Sequence, residues 1–266
     1  MGSLSKGIGQ LMARSLESES SQILRTIASN KIPNSLSQRL DTTLKDSHDM
    51  KVFGLGTLSS MSSVERYAKF THAMHGVYST MEDELDKSSV SSPAIQIFWS
   101  QHENILKRSE KLRLDLEDVG HGFDGYSSAT NQYISTIRLA GLKDRKDSGG
   151  RLLGHAYTRY LADLMGGQVL ETPTRLALGL KEGSPRQYSF NYENGMDRKM
   201  YVEKIYKDLN VSGDVICPMK SDKVESIISE ARTAFKCNIN VYSEEPVWIE
   251  SALGLKNIAL GYFRSS

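Results

Sequence analysis

Apolar residues recur at three- and four-residue steps through most of this chain, a periodicity that leaves little room for anything but helices. Val64, Tyr67, Phe70, Met74, Val77, Tyr78, Met81 and Leu85 fall on one helical face, and Val224, Ile227, Ile228, Ala231, Phe235, Ile239 and Tyr242 repeat the pattern near the C-terminus. A shorter stripe runs through Leu40, Leu44 and His48. Ser62 with Glu65 predicts a capping-box start for the first long helix, and Ser221 is the expected N-cap of the later one. Period-two alternation is scarce; Tyr188 to Tyr192 is the best strand candidate, and it is short. Six prolines, mostly between the periodic stretches, predict helices joined by loops, with 141–150 and 182–196 as surface excursions. The expected fold class is all-α.

Composition narrows the class of function. Hydrophobic residues make up 39% of the 266, and the 21 glycines bring the apolar share to about 47%, inside the usual soluble range. A formal net charge of +1, with Lys and Arg spread along the chain, provides no overall positive field for nucleic acid or acidic lipid. Cys217 and Cys237 cannot staple a chain of this length, so reduced thiols in an intracellular protein are expected. No apolar run reaches the roughly 18 residues a spanning helix needs, and the stretch from Ala252 to Phe263 is broken by Lys256 and Asn257, so no transmembrane anchor is expected. The Ser-rich N-terminus, with Lys6, Arg14 and Arg25, loosely resembles an organelle transit peptide; Glu17 and Glu19 fit an amphipathic opening helix equally well. We expect an N-terminal extension over 1–35, a helical domain over 36–250, a tail over 251–266, and a soluble protein of cytoplasm or plastid.

The stretch that carries chemistry is 154–168, Gly-His-Ala-Tyr-Thr-Arg-Tyr-Leu-Ala-Asp-Leu-Met-Gly-Gly-Gln. On a helix, Tyr157, Leu161 and Leu164 share one face with Gln168, while Arg159, Ala162, Asp163 and Gly166 collect opposite. Adjacent Gly166 and Gly167 cost a helix interior roughly 2 kcal/mol relative to alanines, which a plain scaffold helix has no reason to carry. Glycines there let the backbone bend and something flat approach closely, with the Asp163 carboxylate beside the bend. Tight helix packing through Ala162 and Gly166, with Arg159–Asp163 as an i,i+4 ion pair, explains the same residues without a ligand.

Residues 155–168 resemble the distal-helix signature of heme oxygenases at twelve of its fourteen positions. Tyr78 to Lys87 is similar to the family's Tyr-x-x-Met-Glu-Glu-Glu segment, and Glu230 to Asn238 to its last core helix; the similarity runs with gaps over roughly 36–243. The resemblance implies a single-domain, multi-helix heme oxygenase-like fold. It also implies cleavage of heme, as both substrate and prosthetic group, to biliverdin, CO and ferrous iron, using O2 and external electrons. The family pattern places a Lys three residues before the histidine that holds the iron, and Lys45-Asp-Ser-His48 fits it. Tyr157 and Lys45 match family positions toward the propionates, and Lys204 and Lys207 lie roughly where further basic residues are supplied, although a solvated charged face explains those two equally. Arg159 and Ala162 line the heme face in this reading. Asp163 holds the ordered water that delivers protons, with Gly166 and Gly167 crowding the bound oxygen toward one edge of the ring.

No Gly-x-Gly-x-x-Gly fingerprint for flavin or nicotinamide occurs, so electrons come from ferredoxin or an NADPH-dependent reductase; a biliverdin-consuming reductase is the expected downstream partner. Three departures matter. Ala162 replaces the family's Gly, Met165 replaces a Ser, and Val52 stands where an acidic residue is expected four positions after His48. They leave a second reading open: a heme-binding relative serving as sensor, carrier or interaction protein. A di-iron centre is weak, because none of the six histidines has a Glu three residues before it. His72 and His75 read as partly exposed side chains, His155 as structural, and Glu82, Asp83 and Glu84 as a solvated acidic stripe.

Overall fold

The computed structural model describes residues 26–45, 50–120, 122–193, 195–216, 222–244 and 248–265. They form α1 (Leu36–Lys45), α2 (Met50–Ser60), α3 (Val64–Ser89), α4 (Pro93–Leu106), α5 (Ser109–Val119), α6 (Ser128–Asp147), α7 (Arg151–Met165), α8 (Glu171–Leu178), α9 (Arg198–Ile216), α10 (Asp222–Tyr242) and α11 (Trp248–Ser265). Short 3-10 turns occupy Ser29–Lys31, Gly167–Leu170 and Arg186–Tyr188. No strand occurs among the described residues, so the all-α expectation holds and the 188–192 candidate does not become one.

Local chemistry sets the helix starts. Ser63, not Ser62, caps α3 by accepting the Arg66 N–H at 3.2 Å. Ser92 caps α4 ahead of Pro93, whose missing N–H costs nothing at that position. Ser127 caps α6, and Gly120 ends α5 at φ 65°, a left-handed conformation that glycine adopts without a Cβ clash. The Ser221 cap and Cys217 lie outside the described residues, whereas Cys237 is a buried free thiol.

The long stripe of α3 is buried as predicted, with Met81, Leu85 and Val77 wholly inside. This helix packs on α4, α5 and α6, while α7 lies along α10. Contact between α7 and α10 is backbone-close: a Cβ on Gly154 would sit 2.6 Å from the Ile227 carbonyl oxygen and 2.8 Å from the Ala231 nitrogen. Only glycine admits that approach.

Two expected surface excursions are partly interior. Residues 141–147 continue α6, and Gly149 and Gly150 are buried, with the Ser92 hydroxyl donating to the Gly149 carbonyl. Within 182–196, Ser184, Gln187 and Tyr188 are buried, because the Asp115 carboxylate receives the Arg186 and Gln187 N–H groups and pulls the segment inward. The acidic triplet on α3 is likewise not a solvated stripe. Glu82 is 4% exposed and accepts the Arg108 and Ser109 N–H groups at the start of α5. Glu84 is 6% exposed and pairs with Arg145 of α6, while Asp83 alone stays at the surface with Lys87. A carboxylate at a helix N-terminus answers otherwise unpaired N–H groups, which is why Glu82 can be buried.

The boundary expected at 250 falls inside α11, which packs across both α2 and α8.

Candidate active site

The end of α7 is where the polar chemistry gathers. Arg159, 4% exposed, donates from Nε and Nη2 to the Tyr78 hydroxyl oxygen at 3.2 and 2.9 Å, and from Nη1 to Asn238 Oδ1 at 3.1 Å. With its oxygen so engaged, Tyr78 donates its own proton to Asp163 Oδ2. The Arg159–Asp163 ion pair expected from i,i+4 spacing is present at 3.7 Å. Burial raises the Tyr242 phenol, and the Arg159 charge pulls it back down. Three helices, α3, α7 and α10, thus converge on one buried guanidinium.

These contacts set the protonation balance of Asp163. Burial pushes its carboxyl up, and Arg159, Tyr78 and Arg108 pull it back. Burial and the Asp163 charge raise Tyr78 well above the usual phenol range, Arg159 opposing, so its proton stays available for donation.

At Gly166, with φ −125° and ψ −27°, α7 stops, and the chain turns through Gly167–Leu170 into α8. The expected bend is therefore a break in the helix. Among the described residues Gly167 is not at positive φ, and a Cβ on it would meet only ordinary contacts, 3.5 Å to Asp163 Cβ, 3.5 Å to Tyr188 Cδ1 and 3.6 Å to Asp163 Oδ1. Neither the backbone nor the protein's own packing demands glycine there. Ala162, one residue from Asp163, is exposed. A face that combines the exposed Ala162 methyl, the partly exposed backbone of Gly166 and a carboxylate oxygen suits a flat ligand lying close, so the residues present fit the distal side of a heme site.

Other expected site residues are distributed differently. Lys45 is the last residue of α1, and His48 lies outside the described residues. The Tyr157 hydroxyl donates to Asp41 Oδ1 on α1, which also accepts from Tyr206 at 2.8 Å, while Asn30 donates to Asp41 Oδ2. Burial pushes Asp41 up to about 6 against these hydrogen bonds. Lys204 is paired at 2.8 Å with Asp208, whose carboxylate also lies 3.0 Å from Nε2 of the buried His102. Lys207, one turn from Lys204, is exposed. His155 is fully buried against Glu230 at 3.1 Å, and His72 stacks on Tyr126, so neither histidine reaches the α7 break. No group of three or more metal-ligating side chains occurs among the described residues.

Two cavities lie nearby. The larger, about 370 Å3, is bounded by α2, α3 and the Phe123–Tyr126 segment, with Gly56, Phe70 and Tyr242 on its wall. The Tyr242 ring packs edge-on to Phe53 and Phe70, with centroids 5.0 and 5.2 Å away, and a Cβ on Gly56 would be 2.6 Å from its Cδ1. Tyr242 therefore stands between this cavity and the Arg159 network. The other, about 260 Å3, is lined by Tyr67, Asp115 and Lys181.

Sequence reading missed Tyr78, Asn238 and Tyr242 as functional residues. Tyr78 opens one family-like segment and Asn238 closes another, a signal that could have marked both.

Comparisons with known proteins identify the family. A family model described as "Heme oxygenase" matches residues 34–244. Among curated relatives, heme oxygenases of Porphyra purpurea and Guillardia theta are 30% and 28% identical, each match covering 79% of this chain and 86% of the relative. Among solved structures, heme oxygenase of Leptospira interrogans is 25% identical with a TM-score of 0.64, covering 79% of this chain and 100% of that one. Heme oxygenase-1 of the cyanobacterium Synechocystis, solved in complex with heme, is 25% identical with a TM-score of 0.59, covering 87% of this chain and 99% of that one. With more than half its length matched by one family model, over the segment that holds Tyr78, Arg159, Asp163 and Asn238, the chain belongs to the heme oxygenase family.

Proposed function

We propose that the chain cleaves heme to biliverdin, CO and ferrous iron, with O2 and electrons supplied from outside. The observation that carries this reading is the Tyr78–Arg159–Asp163 network beside Gly167, a position where nothing in the protein requires glycine. Heme, when bound, supplies the iron at which O2 is reduced and the macrocycle that is opened. The protein's part is to aim, to exclude side chains and to manage protons.

Asp163 Oδ2 is held by Tyr78, and Oδ1 lies toward the bare Gly167 step. A carboxylate fixed by one oxygen can use the other to orient water and pass protons through it. Arg159 acts as a positioning residue, since its two N–H groups on the Tyr78 oxygen direct the phenolic proton to Asp163. Gly166 and Gly167 leave the backbone free of side chains where the ring is covered, and Ala162 presents only a methyl there. His48 is the iron ligand of this proposal, with Lys45 toward the propionates; the Tyr157 hydroxyl is already donated to Asp41 and contributes less. Lys204 and Lys207 contribute less, because Lys204 is already paired with Asp208. The electron donor in this proposal is ferredoxin or an NADPH-dependent reductase, and biliverdin passes to a separate reductase. The described residues contain no helix long and apolar enough to cross a membrane.

A second reading, heme binding without ring opening, is favoured by Ala162, Met165 and Val52. One experiment separates the two. Hemin is added to the purified protein, the Soret band is recorded, and reductant is supplied under O2 while bilin absorbance and CO are followed. A Soret band that decays into bilin with CO supports cleavage. A stable Soret band supports the second reading, and no Soret band ends both.

A further inference from the structure

We propose that α11 docks the protein onto anionic lipid surfaces through its outward face. This helix follows the segment matched to the family, which ends at residue 244, so family membership does not account for it. One side is clamped to the body: a Cβ on Gly254 would meet the Leu58 carbonyl oxygen at 1.9 Å, and one on Gly261 the Leu176 oxygen at 2.4 Å. Ser251 and Ile258 are buried on the same side. The opposite side therefore faces away from α2 and α8.

That outward side is apolar along its length. Trp248 is 76% exposed, Ile249 73%, Leu253 45%, Leu260 40% and Phe263 82%. Contiguous apolar surface of this kind marks an interaction site rather than ordinary exposure. The charges identify the occupant. Lys256 and Arg264 are exposed, and the helix's one acid, Glu250, is tied to Arg66 at 3.1 Å on the body side. A stripe of hydrophobes with cations and no free carboxylate, aromatic at both ends, suits a helix lying flat in the headgroup region of an anionic bilayer. Lys256 extends its stem along the apolar strip and its ammonium toward phosphate. Two copies pairing through this face would bring cations together in the middle with no acid to receive them, which disfavours a dimer.

The test uses the full chain with vesicles of phosphatidylcholine alone and of phosphatidylcholine with phosphatidylserine. Expected are co-sedimentation with the anionic vesicles, a blue shift of Trp248 emission while buried Trp99 stays constant, and weakening as salt rises. Leu253→Glu combined with Leu260→Glu replaces exposed side chains, so the thermal melt should be unchanged while vesicle affinity drops by more than about tenfold. Lys256→Gln should weaken binding by about fivefold. No sedimentation and no emission shift with anionic vesicles would overturn the proposal. So would a concentration-dependent dimer that shifts Trp248 emission in the absence of lipid, or binding that both variants leave intact.

Discussion

The two ends of α7 use glycine for opposite purposes. At the N-terminal end, Gly154 lets α10 come so near that a methyl would strike its backbone. At the C-terminal end, Gly167 has ordinary room on the protein side and still carries no side chain. The first glycine is explained by the chain's own packing; the second is explained by something outside it. Polar groups divide in the same way, since His155 near the first end is wholly buried against Glu230, whereas Asp163 at the second keeps a carboxylate that is 15% exposed beside a buried proton donor.

The largest effect should come from Gly154→Val, which forces α7 and α10 apart and should cost about 3 kcal/mol or more in a urea melt. A melt close to the parent's would break the contrast at its rigid end.

Next is the pH dependence around Tyr157, midway along α7. Asp41 has an ordinary value of 3.8 and is pushed up to about 6 when folded, so the folded chain holds that proton longer than the unfolded one. Its contribution to stability is therefore kept in acid and falls by up to about 3 kcal/mol as pH rises from the ordinary value through the raised one. Asp41→Asn should flatten that part of the stability–pH curve, measured by chemical denaturation across the window. Parallel curves for the two proteins would show that the Tyr157–Asp41–Tyr206 cluster is not buried as described.

Tyr78→Phe removes three hydrogen bonds, all with charged partners, and should cost about 2–3 kcal/mol of stability, yet lower the rate of bilin formation more than that loss implies. The smallest stability effect belongs to Gly167→Ala, within about 0.5 kcal/mol in the melt. Its hemin affinity should nevertheless fall by about tenfold in a Soret titration, because the methyl enters the ligand's space. Equal loss of stability at Gly154 and Gly167 would erase the distinction.

Much of this was legible in the sequence, for identifiable reasons. The α3 and α10 stripes were visible because their period is local, and Arg159, Asp163 and the glycine pair because they sit in one contiguous signature. Tyr78 and Asn238 were not, since each acquires its role only when α3 and α10 pack against α7. Glu82 and Glu84 were misread for a similar reason: three consecutive acids look solvated until the start of α5 and Arg145 arrive from elsewhere in the chain. The break at Gly166 was legible as a bend, but whether the helix resumes depends on α8 packing beneath α11.

The most direct test of the central claim compares the parent with Asp163→Asn, each loaded with hemin and given reductant under O2. The account predicts that both show a Soret band and that only the parent yields bilin and CO quickly, the variant being slower by about a hundredfold or more. Bilin formation by the variant at the parent rate would contradict it.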